Sequence, residues 1–124
     1  MIKMSMDLNF WKYKEGAAHD HAAVYQAACC NGEPVDELET LPVDEILKKA
    51  VEVFSDWSIS GNGTDFEKEG HGAFQIFTTS QAVRFDCYGL QEAEMNTIMD
   101  IMIEFGCPLY DSQISTRFDS WTDR

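Results

Sequence analysis

Basic residues are scarce in this chain. Only 9 Lys and Arg stand against 22 Asp and Glu in 124 residues, which gives a formal charge of −13 at pH 7. A surface with this sign repels phosphate backbones and anionic lipid headgroups. The composition therefore argues against nucleic acid or a membrane as a direct partner.

Long apolar runs are also missing. No stretch approaches the roughly 20 apolar residues that span a bilayer, and residues 1–14 lack the apolar segment of a signal peptide. Hydrophobic residues nevertheless make up 44% of the chain, which is well above a disordered composition. The sequence predicts a cytoplasmic protein that folds as one domain over residues 1–124.

Signatures of catalysis are absent as well. The glycines at 61–63 lack both a P-loop lysine and the dinucleotide-binding spacing, and neither GxSxG nor HExxH occurs. The four cysteines have no zinc-ligand spacing such as CxxC and no disulfide-scaffold spacing, so we expect mostly buried thiols in a reducing compartment. We therefore predict a non-enzymatic protein without catalytic residues, cofactor or metal.

Hydrophobic periodicity indicates which segments form helices and strands. Apolar residues at three- and four-residue spacing predict helices over 43–54 and 90–105, and an alanine-rich stretch predicts a short helix over 21–30. Alternating apolar residues predict a strand over 6–13 and a hairpin of 73–78 with 82–88. Residues 64–69 are expected to form an edge strand and 107–110 a final extended segment.

The order of these elements indicates the fold class. Strands and helices mix without regular alternation, which favours an α+β fold with a mainly antiparallel sheet and helices packed on one face. The specific expectation is a ferredoxin-like β-α-β-β-α-β variant with an extra short N-terminal helix.

Histidines offer an alternative, chemical function. His19 and His21 could share a metal ion with Cys29 or Cys30 if this segment is extended. If a helix begins at Asp20 instead, the two imidazoles point about 200° apart and cannot share an ion. His71 has two interpretations: a general base oriented by one of the preceding carboxylates, or an ordinary turn residue between two glycines. The preceding carboxylates are Asp65, Glu67 and Glu69.

The negative charge is concentrated in one part of the chain. Residues 1–32 carry three acids and three bases, whereas 33–69 carry eleven acids and three lysines. This segment is either a solvated face or an acidic surface that attracts a basic protein partner. Trp57, Tyr110 and Trp121 are the candidate aromatic anchors of such a surface. Its candidate partner-binding acids are Asp36, Glu37, Glu39, Asp44, Glu45, Glu52 and Asp56.

Three segments carry a resemblance to known proteins. Residues 41–57 (LPVDEILKKAVEVFSDW), 69–89 (EGHGAFQIFTTSQAVRFDCYG) and 105–119 (FGCPLYDSQISTRFD) resemble a group of small, acidic bacterial proteins of uncharacterised activity. Some of these are immunity proteins of polymorphic or contact-dependent toxin systems. Residues 109–113 are similar to an LYDPQ element of that group, with Ser112 in place of its proline. The resemblance implies an inhibitor that covers the active surface of a basic toxin, and it carries over no catalytic residue.

Overall fold

An antiparallel sheet of seven strands organises the residues that the computed structural model describes, which are 5–17, 20–111 and 116–117. The strand order across the sheet is β2-β3-β4-β5-β1-β6-β7, and every neighbouring pair is antiparallel. The strands are β1 Ser5–Trp11, β2 Ser58–Ser60, β3 Asp65–Lys68, β4 Gly72–Thr78, β5 Ala82–Tyr88, β6 Leu109–Asp111 and β7 Thr116–Arg117. The predicted α+β class with an antiparallel sheet is confirmed.

Within these ranges, three helical segments accompany the sheet. Helix α1 spans His21–Val24, and Asp20 is its N-cap. The Asp20 carboxylate accepts a hydrogen bond from the Ala23 backbone N–H at 3.2 Å. The chain then continues as a π-helical segment, Tyr25–Cys30. Helix α2 spans Val43–Val53, and α3 spans Glu92–Glu104. No helix in the described ranges has the length and apolar character needed to cross a membrane.

One face of the sheet packs against α2 and α3. Alternate strand residues such as Phe10 and Phe85 point to this face, where Ile46 of α2 and Ile98 of α3 meet them with no exposed surface. The apolar stripes of the two helices, which repeat every three or four residues, therefore close the larger hydrophobic core.

Aromatic rings fill the end of this core beneath β3 and β4. Phe66 and Phe74 stack at 4.6 Å between ring centroids, and Phe54 meets Phe74 edge-to-face at 4.9 Å. Such ring pairs add about 1 kcal/mol each beyond the burial of their area. They fix the junction of α2 with the sheet.

The opposite face of the sheet is covered at one corner by the α1–π-helical segment. Trp11, Ala82 and Tyr110 are fully or almost fully buried there against Val24 and Ala28. The prediction that all helices pack on one face is thus wrong for the short N-terminal helix. The physical reason is that β1 and β6 present large apolar side chains on both faces, and each face needs cover.

The edge of the sheet also differs from the prediction. Residues 64–69 do contain a strand, β3, but β2 pairs outside it, with Ser58 opposite Glu67 and Ser60 opposite Asp65. The predicted edge strand is therefore an interior strand. Because β2 has only three residues, it is too short to show an alternating pattern.

Candidate functional site

The predicted acidic surface begins in the connection between α1 and α2. Asp36 and Glu37 are exposed and Glu39 is half-buried, while Leu38 between them is fully buried. The Lys14 backbone N–H donates to the Glu37 carbonyl at 2.8 Å, and the Glu39 N–H donates to the Lys12 carbonyl at the same distance. The connection is therefore bonded to the chain that follows β1.

Gln81, at the turn between β4 and β5, holds the same connection from the other side. Its Oε1 accepts from the Val35 backbone N–H at 2.8 Å, and its Nε2 donates to the carbonyls of Val35 at 2.9 Å and Leu38 at 3.2 Å. Three hydrogen bonds from one side chain fix the backbone from which Asp36 and Glu37 project. We call residues 35–39 the acidic loop.

Helix α2 continues this surface. Its exposed first-turn acids, Asp44 and Glu45, line a shallow concavity of about 410 Å³ together with Leu41, Pro42 and Ser80. Acids in the first turn are favoured by the positive end of the helix dipole. The structure thus brings these two predicted residues together beside a small apolar patch.

The three remaining predicted acids lie away from this concavity. Glu52 is exposed eight residues after Asp44, about 12 Å along the helix axis. Asp56 accepts a hydrogen bond from Lys68 Nζ at 2.6 Å, and this bond lowers the pKa of Asp56 from its ordinary value. Glu39 pairs with Lys12 at 3.8 Å.

Five of the seven predicted acids have no ion-pair partner in the described part of the chain. Among the residues that the structure describes, no basic side chain forms an ion pair with Asp36, Glu37, Asp44, Glu45 or Glu52. All five side chains are exposed to solvent. They remain available to a basic group from another molecule.

Two of the three predicted aromatic anchors are core residues instead. Trp57 is only 8% exposed and packs against Phe54 and Phe74, while Tyr110 is 2% exposed and lies on Trp11 at 5.1 Å. The end of α2 and strand β6 both turn these rings inward, so neither presents a surface to a partner. Trp121 lies outside the described residues.

His71 has a carboxylate partner, but a different one from those predicted. Its Nδ1 lies 3.8 Å from Glu94 Oε2. The predicted partners were the carboxylates that precede it in the chain, Asp65, Glu67 and Glu69. Glu94 also accepts from the Gln91 backbone N–H at 3.3 Å as part of the α3 capping box. Because 3.8 Å exceeds hydrogen-bond length, the imidazole is placed near the carboxylate without being oriented by it.

His21 is part of an aromatic cluster. Its Nδ1 lies 2.7 Å from the Tyr13 hydroxyl, and its ring lies 6.2 Å from that of Tyr110. The predicted helix start at Asp20 is present, and His19 lies outside the described residues. Across residues 5–17, 20–111 and 116–117, no three His, Cys, Asp or Glu side chains are grouped to hold a metal ion.

The cysteines are mostly buried, as predicted. Cys29, Cys87 and Cys107 are buried and Cys30 is exposed. Burial raises the pKa of the Cys29 and Cys87 thiols to about 12. Both are therefore protonated at neutral pH and are poor nucleophiles.

A second acidic surface lies on the sheet itself, and the sequence did not indicate it. We call it the open sheet face. The cross-strand register lines up two rows on the side opposite α2 and α3. One row is Ser60, Asp65, Gln75, Asp86 and Asp7, and the other is Ser58, Glu67, Ala73 and Tyr88.

Two clefts lie on the open sheet face, and Tyr88 lines both. A cleft of about 310 Å³ is lined by β2, β3 and β4 residues including Asp65 and Glu67. Another of about 330 Å³ is lined by Asp7, Tyr25, Arg84 and Asp86, among others. The Tyr88 side chain is 40% exposed between them.

Hydrogen bonds fix the charged groups of the second cleft. Arg84 donates from Nε to Asp86 Oδ1 at 2.9 Å and from Nη2 to Oδ2 at 3.2 Å, and its Nη1 donates to the Cys29 carbonyl. Tyr25 Oη donates to Asp7 Oδ2 at 2.8 Å. The π-helical segment therefore supplies both the hydroxyl and the carbonyl that hold this cleft in shape.

Comparison with known proteins adds no relative: neither a family model, nor a curated protein, nor a solved structure matches this chain.

Proposed function

We propose that this chain is a non-enzymatic acidic protein that binds a basic protein partner. The observation that carries the proposal is the acidic loop. Its backbone is held by three hydrogen bonds from Gln81, and its exposed Asp36 and Glu37 have no ion-pair partner within the described ranges. A loop backbone that is held in place before binding loses little entropy when a partner arrives.

The neighbouring concavity supports the same function. Asp44 and Glu45 lie at its rim, and Leu41 and Pro42 provide apolar surface within it. A partner side chain such as lysine or arginine could place its aliphatic stem on the apolar residues and its charge beside the carboxylates. This combination of an acidic rim and an apolar floor fits a protein better than a free metal ion.

The more specific proposal is that the partner is a toxin and that the chain is its immunity protein in the cytoplasm. Resemblance of residues 41–57, 69–89 and 105–119 to acidic bacterial proteins supports this role. The acidic surface would cover a basic active site, as expected where the toxin is a nuclease that binds phosphates with Lys and Arg. Inhibition would then follow from occupancy alone, with no reaction by the chain.

The test is co-expression with a basic toxin domain encoded next to the gene for this chain. We expect restored growth, and an association rate between the purified proteins that falls at least about tenfold between 50 and 500 mM salt. The double variant Asp36→Asn with Glu37→Gln should slow association more than the control Glu15→Gln with Glu69→Gln, which removes the same charge elsewhere. Failure to restore growth together with salt-independent binding would refute the proposal.

We also propose that the fold is a β-α-β-β-α-β variant of the ferredoxin-like type. Four strands in the order β4-β5-β1-β6 support it, because β1 and β4 are parallel with β5 between them, and β5 and β6 are parallel with β1 between them. These are two interleaved split βαβ units, connected through α2 and α3. Strands β2, β3 and β7 are additions at the two edges.

A further inference from the structure

We propose that the open sheet face is a docking surface for an extended, arginine- or lysine-bearing segment of the basic partner. This inference rests on the proposed function and adds a second contact region to it. The acidic loop and α2 would meet the folded body of the partner. The open sheet face would hold a segment that crosses the strands.

Charge is the first argument for a basic occupant. Among the side chains that the structure describes, Asp7, Asp65, Glu67 and Asp86 share this face with one guanidinium, that of Arg84, so the net charge of these five groups is −3. Asp7 and Asp86 are direct cross-strand partners; Arg84 is bonded to Asp86, and the Tyr25 hydroxyl donates to Asp7. The excess of carboxylates over guanidinium on this face therefore favours a cationic occupant.

The aromatic side chains point to the same kind of occupant. Tyr88 and Phe77 are 40% and 47% exposed, so no described element covers this part of the sheet. The Arg84 guanidinium already lies over the Phe77 ring at 4.8 Å from its centroid. Tyr88, between the two clefts, offers a similar ring to an arginine of the partner.

The dimensions favour an extended segment. Strands β2 and β1 are four strand spacings apart, which is about 19 Å. An extended hexapeptide has about the same length at roughly 3.3 Å per residue. Side chains of alternate residues point to the same side, so basic residues at every second position could enter the clefts on both sides of Tyr88.

The second cleft is also pre-organised for a ligand. Arg84 is bonded to both Asp86 oxygens and to the Cys29 carbonyl, and the Tyr25 hydroxyl is bonded to Asp7. The segment that supplies Tyr25 and Cys29 is π-helical, a rare geometry that is frequent at functional sites. The cleft therefore keeps its shape without an occupant.

The experiment uses an acetylated and amidated hexapeptide of alternating arginine and glycine as the probe. It is titrated into the full ¹⁵N-labelled chain at low salt, and backbone amide shifts are followed by NMR. We expect the largest shifts along β3, β4 and β5. The double variant Asp65→Asn with Glu67→Gln should raise the Kd about fivefold or more.

The control is Glu15→Gln with Glu92→Gln, two exposed acids outside the acidic loop, the α2 concavity and the open sheet face, which removes the same charge and should raise the Kd less than about twofold. Tyr88→Ala should weaken binding while Tyr88→Phe retains it, and circular dichroism establishes that each variant is folded. Equal weakening by both double variants, stronger weakening by the control variant, or no shifts at millimolar peptide would each overturn the inference. The toxin test above is independent, so the proposed function can stand where this inference fails.

Discussion

Replacement of Gln81 by alanine tests whether the acidic loop is held as the structure indicates. The substitution removes three hydrogen bonds, from Val35 N–H and to the carbonyls of Val35 and Leu38. A typical buried hydrogen bond contributes about 1 kcal/mol net. Three of them set an upper value of about 3 kcal/mol for the loss of unfolding free energy.

The expected loss is smaller than this sum. Val35 and Gln81 are half-buried, so water can replace part of what the amide provides. The backbone bond from Glu39 N–H to the Lys12 carbonyl and the buried Leu38 side chain also remain. We therefore expect a loss of about 2 kcal/mol, with the effect centred on Val35.

Two measurements check this expectation. Urea unfolding gives the free-energy change, for which Gln75→Ala is the control because Gln75 lies exposed on the same hairpin. Hydrogen exchange of the Val35 amide reports local opening, and it should become fast in Gln81→Ala while amides of β5 stay protected. A loss below about 0.5 kcal/mol with an unchanged Val35 exchange rate would refute the reasoning, because the loop would then be held without Gln81.

Two further predictions concern the turn before β4 and the buried thiols. Gly72→Ala should lower the free energy of unfolding in urea by about 3 kcal/mol, and Gly70→Ala by about 1 kcal/mol. The difference is expected because a Cβ at Gly72 (φ 102°) would lie 2.7 Å from the Gly89 backbone, whereas a Cβ at Gly70 would meet nothing within 4 Å. Equal losses would contradict this. Burial raises the pKa of Cys29 and Cys87 from 9.0 to about 12, so both remain protonated in the folded state while the unfolded chain ionises. The free energy of unfolding that these protonated thiols contribute is therefore complete below pH 9 and falls by about 1.4 kcal/mol per pH unit per thiol up to pH 12. Cys87→Ala should reduce this slope when unfolding is measured at alkaline pH. An unchanged slope would count against the assignment.

Periodicity predicts most elements of this fold because each element carries its pattern locally. The apolar stripe of α2 and the alternation of β5 are visible in any short window, and both elements begin within a residue of the predicted position. The same reasoning fails for β2, whose three residues are a strand only because β3 offers them a partner. It fails also for the π-helical segment, since no residue pattern separates Tyr25–Cys30 from ordinary helix.

The position of the short helix could have been inferred from β1. Phe10 and Trp11 are adjacent and therefore point to opposite faces, and both are fully buried. Two large apolar side chains on opposite faces require cover on both, and the only uncommitted helix is the N-terminal one. The corner of the sheet that this helix covers depends on its packing against Tyr110 of β6. The apolar pattern of the N-terminal segment alone does not predict that contact.

Chain order and sheet register distribute the negative charge in different ways. By sequence, Asp65 and Glu67 belong with the acidic stretch 33–69, whereas Asp7 lies in a segment of zero net charge. In the sheet, Asp65 and Asp7 stand in one row because β4, β5 and β1 place Gln75 and Asp86 between them. A charge count along the chain therefore finds the acidic loop and misses the open sheet face. The two surfaces differ in what they can recognise: isolated exposed carboxylates attract any basic body, but two clefts on either side of Tyr88 also require side chains at a fixed spacing. For this reason we expect attraction to depend on both surfaces and discrimination among basic partners to depend on the open sheet face.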